Sequence, residues 1–421
     1  MRNAWKIEDI RRKILFTLLI ILLYRLGNAV PVPYVNVEAL NGYFTSMQNT
    51  VLGLLNVMSG GAFSNATIFA LSIQPYINAS IIIQLLTIAI PALERMSKEE
   101  GEEGKKKIAS ITRYTTVVIG LIQGFAYYMM IKNYGFLEIA DTNAVWAAIV
   151  IILTFTSGSA LIMWLGEQIT EFGIGNGISI ILFASIVSRF PKDLYQMIYS
   201  ASTGVTQWWV TLLMLLGALA MIVLIVFIND AERRLPVQYA KRVVGRKMYG
   251  GQSTHLPMKV NMSGVLPIIF AQSIASLPAT VAAFIGHTSS WWARTDTIGY
   301  AILYFALIIF FAYFYSTIQF NPVEVANNLK NNGGYIPGFR PGKPTSDFIK
   351  KVLNKITLFG ALYLSIIAVA PILISHWSET ARNSGVSLGG TSIIIVVGVA
   401  LETIRALEGE LLMRNYKGFL S

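Results

Sequence analysis

Ten stretches of largely uncharged, apolar residues recur along this 421-residue chain, most of them long enough to cross a bilayer core of about 30 Å as a helix. They fall near Ile14–Val30, Leu71–Ile90, Tyr114–Ile131, Ala147–Leu165, Ile174–Ser188, Trp209–Asn229, Ser263–Ile285, Ile298–Ile318, Ile356–Ser375 and Gly389–Leu401, the fifth and tenth being short. Hydrophobic residues make up 54% of the chain and charged ones 13%, more apolar surface than a water-exposed globule can hide, so lipid must cover the excess. The segment from Met1 to Pro33 imitates a signal peptide, with Arg11, Arg12 and Lys13 ahead of an apolar run. Nine further spans make it a first helix instead.

Charge laid on these spans gives an orientation. With the N-terminus inside, 27 of the 33 Lys and Arg fall on inner segments, and six (Arg25, Lys132, Arg189, Lys192, Arg294 and Arg382) on outer ones. Positive residues in short loops stay on the cytoplasmic side, so both termini are expected there. Five spans on each side of the outer loop around residue 191 divide the chain into halves at 1–190 and 191–421. Five is odd, so two such halves would be inverted relative to each other, although no residue-level repeat is visible.

Two inner loops, at about 230–262 and 319–355, are longer than connection requires and carry 13 of the positive charges. Anchoring on anionic lipid is one reading. The other is a docking surface for a negatively charged partner, shaped by Pro337, Gly338, Pro341 and Gly342. On the outer side, the segment at about 51–67 is apolar enough to enter the membrane but too short and glycine-rich (Gly53, Gly60, Gly61) to cross it. A re-entrant plugging helix and an interfacial helix both fit.

Little in the spans suggests chemistry. Intramembrane ionisable groups are costly and mark pumps and enzymes, and here they are nearly absent. His255, His287 and His376 fall in loops or at helix ends, and a chain without cysteine has no disulfide or thiolate metal site. The run Gly173–Gly177 follows an apolar helix and lacks the Lys-Ser/Thr ending of a phosphate loop. No cofactor, catalytic residue or metal ligand is therefore assigned. Neutral polar groups do occur, among them Gln74, Asn78, Ser80 and Gln84 in the second span, Asn176 and Ser179 at the fifth and Gln272 in the seventh. Helix–helix hydrogen bonding explains them as well as a pore lining does. Pro75, Pro267 and Pro278 predict kinks in the second and seventh spans.

Five long segments carry a resemblance: Ile73–Leu86, Gly166–Ser179, Gln252–Ala271, Ile336–Thr345 and Gly389–Ile395. In these the sequence closely resembles the SecY family, central subunits of the bacterial protein-conducting channel. The resemblance implies an all-α integral membrane fold of ten transmembrane helices in two inverted five-helix halves around an hourglass pore. It implies a passive channel through which unfolded secretory polypeptides cross the bacterial cytoplasmic membrane and apolar segments enter it sideways, with the second and third spans meeting the seventh and eighth at a lateral gate. By motif position the pore ring would be Ile73, Ile77, Ile178, Leu182, Ile269 and Ile395, and the plug with its polar gating positions would include Asn56, Ser59, Gly60, Gly61 and Asn176. Arg246, Lys247 and Arg340 would dock the motor ATPase SecA or the ribosome. SecE and SecG, signal peptides, nascent polypeptides and anionic lipids are the further partners implied. The chain departs from some relatives in having Val323 where those carry arginine, and Leu182 in place of isoleucine in the ring. The rival reading, a secondary transporter of a small solute, requires an ion- or substrate-binding cluster at midplane that the spans do not offer.

Overall fold

The computed structural model describes residues 5, 7–46, 50–98, 100–138, 143–204, 207–239, 242–244, 247–249, 253–262, 264–285, 297–377 and 390–417. Its elements run α1 (Glu8–Gly27), α2 (Val37–Ser46), α3 (Val51–Met58), α4 (Gln74–Ala89), α5 (Pro91–Lys98), α6 (Gly101–Asn133), α7 (Ala144–Phe172), α8 (Gly177–Val187), α9 (Phe190–Ser202) and α10 (Trp208–Asp230). A β-structured stretch follows, with β1 (Glu232–Tyr239), β2 (Arg242–Val244), β3 (Lys247–Tyr249) and β4 (Ser253–Lys259). The chain continues through α11 (Leu266–Ile285), α12 (Ile298–Gln319), α13 (Pro322–Asn331), β5 (Gly334–Tyr335), α14 (Lys343–Trp377) and α15 (Gly390–Lys417). Each of the ten apolar runs thus holds a helix.

Among the described residues, six spans are long and apolar enough to cross a bilayer by length and composition alone: α6, α7, α10, α12 continuing into α13, α14 and α15. In α10 only 11% of the apolar window is buried, and Leu213, Leu216, Leu219, Val223 and Phe227 point outward. Such a surface is stable only against hydrocarbon. At 11 residues, α8 rises only about 16 Å and is enclosed by neighbours. Its start lies so close to α7 that a Cβ on Gly177 would stand 1.9 Å from the Gly166 carbonyl oxygen. Small residues allow this backbone approach, the packing that replaces hydrophobic drive between helices in lipid.

The prolines act differently from the sequence-based expectation. Pro75 lies in the first turn of α4, where its missing N–H costs no helical bond, so it starts the helix rather than kinking it. Pro267 likewise falls in the first turn of α11, and only Pro278 is interior. The bend in the second span occurs at Pro91, where α4 and α5 meet at 105°.

The described residues of both long loops carry secondary structure. A three-stranded sheet with order β4-β1-β5 joins them, Leu235 pairing with Leu256 in the antiparallel β1–β4 ladder and Gln238 with Tyr335 between β1 and β5. Leu235 and Val237 alternate inward and pack with Met258, Ala326, Ile336 and Ile349. The two loops therefore share one small hydrophobic core beneath α13 and the start of α14. Ion pairs tie helices together: Lys13 to Glu410 at 2.6 Å, Arg405 to Asp230 at 2.6 Å and Arg113 to Glu167 at 2.9 Å.

Candidate functional site: an aliphatic waist beneath a short helix

Five ring candidates come together in one buried cluster, with the sixth packed against it. Ile73, Ile77, Leu182, Ile269 and Ile395 are each at most 4% exposed, and Ile178 is half-buried beside them. They arrive from four directions. Ile73 precedes the first turn of α4 and Ile77 lies one turn on, Ile178 and Leu182 stand one turn apart on α8, Ile269 is on α11 and Ile395 on α15. The i,i+4 spacing on α4 and α8 puts each pair on one face. Met58, the last residue of α3, belongs to the same cluster.

The segment after α3 is a run of turns rather than the beginning of the second span, which starts at Gln74. Polar contacts hold it. Asn56 Oδ1 accepts from the Ser64 amide at 3.0 Å, and the Asn56 carbonyl accepts from the Gly61 amide at 2.9 Å. Ser59 Oγ accepts from the Phe63 amide at 3.0 Å. Tyr127 on α6 stacks on Phe63 and donates its hydroxyl to the Phe63 carbonyl. Gly60 has φ +68, and a Cβ there would come within 2.9 Å of the Ser185 carbonyl oxygen on α8. Ser185 Oγ in turn lies 2.7 Å from the Tyr24 hydroxyl of α1, so the plug candidate rests on a small polar seat between α1 and α8.

Its polar side faces a cavity lined in part by Asn56, Gly60, Gly61, Ser64, Arg189 and Lys192. Beside it on α9, burial pushes the Asp193 carboxyl up, with Arg189 and Lys192 opposing. At the end of α3, Met58 reaches into the aliphatic cluster. Met58 Sδ accepts from Gln74 Nε2 of α4 at 3.1 Å and from Gln272 Nε2 of α11 at 3.4 Å.

Asn176 is elsewhere. Its side chain caps α8, accepting from the Ile178 and Ser179 amides at 3.1 and 3.3 Å. That puts it about 14 Å along the helix from Ser185, by the rise per residue. It does not join Asn56, Ser59, Gly60 and Gly61. An asparagine before an apolar run is a helix-capping signal, and here the capping role explains it. The glycines before it make the α7–α8 turn, Gly175 having φ +70.

On the sheet-bearing loops, Arg340 is exposed in a turn between Gly338 (φ +88) and Gly342 (φ +102), its carbonyl accepting from Thr345 Oγ1 at 2.8 Å. Phe339 stacks on Phe348 with ring centroids 4.1 Å apart, fixing the turn on α14. Lys247 begins β3, and Arg246 lies outside the described residues. Met58, Tyr24 and Ser185 were missed by sequence reasoning. A methionine or tyrosine in an apolar run carries no signature until its neighbours are known.

Long apolar helices gathered on a buried aliphatic cluster, with a short helix seated against that cluster, define a multi-pass all-α membrane protein. The SecY family model matches residues 67–404. The protein translocase subunit SecY of Streptomyces scabiei is 44% identical over 435 residues, covering 99% of this chain and 98% of that protein. Among solved structures, one described as the structure of a protein conducting channel matches with TM-score 0.67 and 18% identity over 95% of this chain and 92% of that one. Another, described as showing that the plug domain of the SecY protein stabilises the closed state of the translocation channel and maintains a membrane seal, matches with TM-score 0.64, 16% identity and the same coverage. The chain belongs to the SecY family.

Proposed function

We propose that this chain is the passive protein-conducting channel of a bacterial cytoplasmic membrane, passing unfolded secretory polypeptides outward and apolar segments sideways into lipid. The observation that carries this reading is the waist, where aliphatic side chains of α4, α8, α11 and α15 pack together under Met58 of α3. An apolar constriction excludes water and ions by dewetting while offering a sliding peptide few sticky contacts. The plug of residues 51–67 closes it from outside.

The N-terminal half, 1–190, and the C-terminal half, 191–421, part at the seam of α4 and α6 against α11 and α12. Both termini and the sheet-bearing loops face the cytoplasm, where the positive charge is concentrated. Arg340, held outward on its turn, together with Arg246 and Lys247, docks SecA or the ribosome, and the lipid-facing helices receive SecE and SecG. Energy comes from those partners, since all six ring positions carry aliphatic side chains with no group to ionise or react.

The test is reconstitution of the complete complex in vesicles with SecA, ATP and a signal-bearing polypeptide. Protection of the polypeptide from added protease, dependent on ATP and on the signal, is the expected result. Uptake of small solutes coupled to an ion gradient, without polypeptide transfer, would overturn the reading in favour of a secondary transporter.

A further inference from the structure

Met58 is the one methionine among the fully buried members of the waist cluster, and two buried glutamine amides converge on it from different helices. Gln74 begins α4 and Gln272 lies in the second turn of α11, so one atom joins α3 to both. Other polar tethers of this segment, to Tyr24, Asn41 and Tyr127, run to α1, α2 and α6. With eight residues, α3 cannot hold its own shape in water or lipid, and its position depends on such tethers. Gln272 Oε1 is buried without a hydrogen-bond partner among the described residues, which leaves the bond to Met58 to anchor that amide.

We infer that Met58 is a positioning residue that couples plug release to lateral opening: the plug stays while α4 and α11 are together, and loses its hold when they part. The inference rests on the channel reading. The amides of Gln74 and Gln272 reach one thioether only while the two helices are adjacent, so separation breaks at least one bond. Methionine suits this role because its side chain is flexible and its sulfur a weak acceptor. A carboxylate or amide acceptor at the same place would hold the plug more firmly against opening.

Resting ion conductance of the complete complex in vesicles tests this. Met58→Leu keeps side-chain volume and removes the acceptor. Leak is expected to rise about three- to tenfold, the range for losing one or two hydrogen bonds within a membrane protein. Gln272→Leu, which acts on the same bond from α11, is expected to raise leak as well. In a Gln74→Leu/Gln272→Leu background, Met58→Leu should add nothing, because the interaction is already gone. A purely packing role for Met58 predicts no rise in the first variant, or effects that simply add. Either result, in a complex that leaks once residues 51–67 are deleted, overturns the inference and leaves the channel reading intact. If deletion of the plug combined with polar ring residues produces no leak at all, the channel reading itself fails and the inference falls with it.

Discussion

Tyr315 on α12 donates its hydroxyl to Gln84 Oε1 on α4 across 3.0 Å, and Gln84 donates onward to Ser80 Oγ at 3.0 Å. This polar chain crosses the seam that the channel reading assigns to the lateral gate. Phe270 of α11 packs edge-on against the Tyr315 ring, so the tyrosine is held on both sides of the same seam. A hydrogen bond between membrane helices is worth about 0.6 kcal/mol on average and up to about 1.7. That is small enough to break on every opening and large enough to bias the closed state.

Tyr315→Phe should therefore open the seam without unfolding the helices. The expected outcome is a roughly three- to twentyfold shift towards the open state, from the same energies. Cysteines introduced on α4 and α12 would report it by crosslinking yield, free of background because the chain has no cysteine of its own. Unchanged crosslinking in both Tyr315→Phe and Gln84→Leu would mean that the seam is held by packing alone.

Gly60 gives a second, steric handle on the plug. Its φ of +68 is a conformation that L side chains rarely adopt, and a Cβ would meet the Ser185 carbonyl oxygen at 2.9 Å. Gly60→Val adds a β-branched side chain to both problems, with a cost of about 1–3 kcal/mol for the backbone alone. The plug seat should loosen, and resting leak should rise while the amount of assembled complex is unchanged. Gly61→Ala is the comparison, since its φ of +90 is also positive but a Cβ there meets nothing within 4 Å. Equal leak in the two variants would assign the effect to backbone strain and not to contact with α8.

Much of this architecture was readable from the chain because lipid imposes a simple rule. A helix that satisfies its backbone internally leaves a long apolar run as its trace, and all ten runs hold helices. The elements that were not readable obey other physics. Leu235 and Val237 alternate as in a strand, but among the charges of Glu232–Arg242 the pattern is short, and the sheet forms because β5, nearly a hundred residues away, completes it. Pro75 reads as a helix breaker when the span is begun at Leu71, and as a helix starter once the turns before Gln74 are seen. The six waist positions followed from a resemblance, since isoleucine at helical spacing is the commonest packing pattern in any apolar helix. Asn176 shows the converse case, a polar residue whose local capping geometry accounts for it.

The waist makes a separate demand. Ile77 and Ile269 lie on α4 and α11, the two helices that also hold Met58. Replacing either with asparagine places a hydrated group in the constriction and should raise resting conductance, with a further rise when residues 51–67 are deleted. Planar-bilayer recording of single channels separates the two contributions. If conductance stays at the wild-type level with several ring positions made polar and the plug absent, these residues serve only as helix packing.

Arg340 tests the proposed docking face independently of the proposed pore. Its guanidinium is exposed, and no ion pair of this side chain occurs among the described residues. The turn that carries it is fixed from below by the Phe339–Phe348 stack, so the charge is presented without being needed for folding. Exposed charges contribute little to stability, and surface substitutions usually stay within about 0.5 kcal/mol. Arg340→Glu should leave expression, membrane insertion and resting leak unchanged, while motor- or ribosome-driven translocation falls severalfold and weakens further as salt is lowered, because like charges then repel over a longer range. Phe339→Ala should reduce the same rate less, by loosening the turn while keeping the charge. Normal translocation by the Arg340→Glu complex at low salt would remove the docking role, and loss of the protein from the membrane would make the turn a structural element instead.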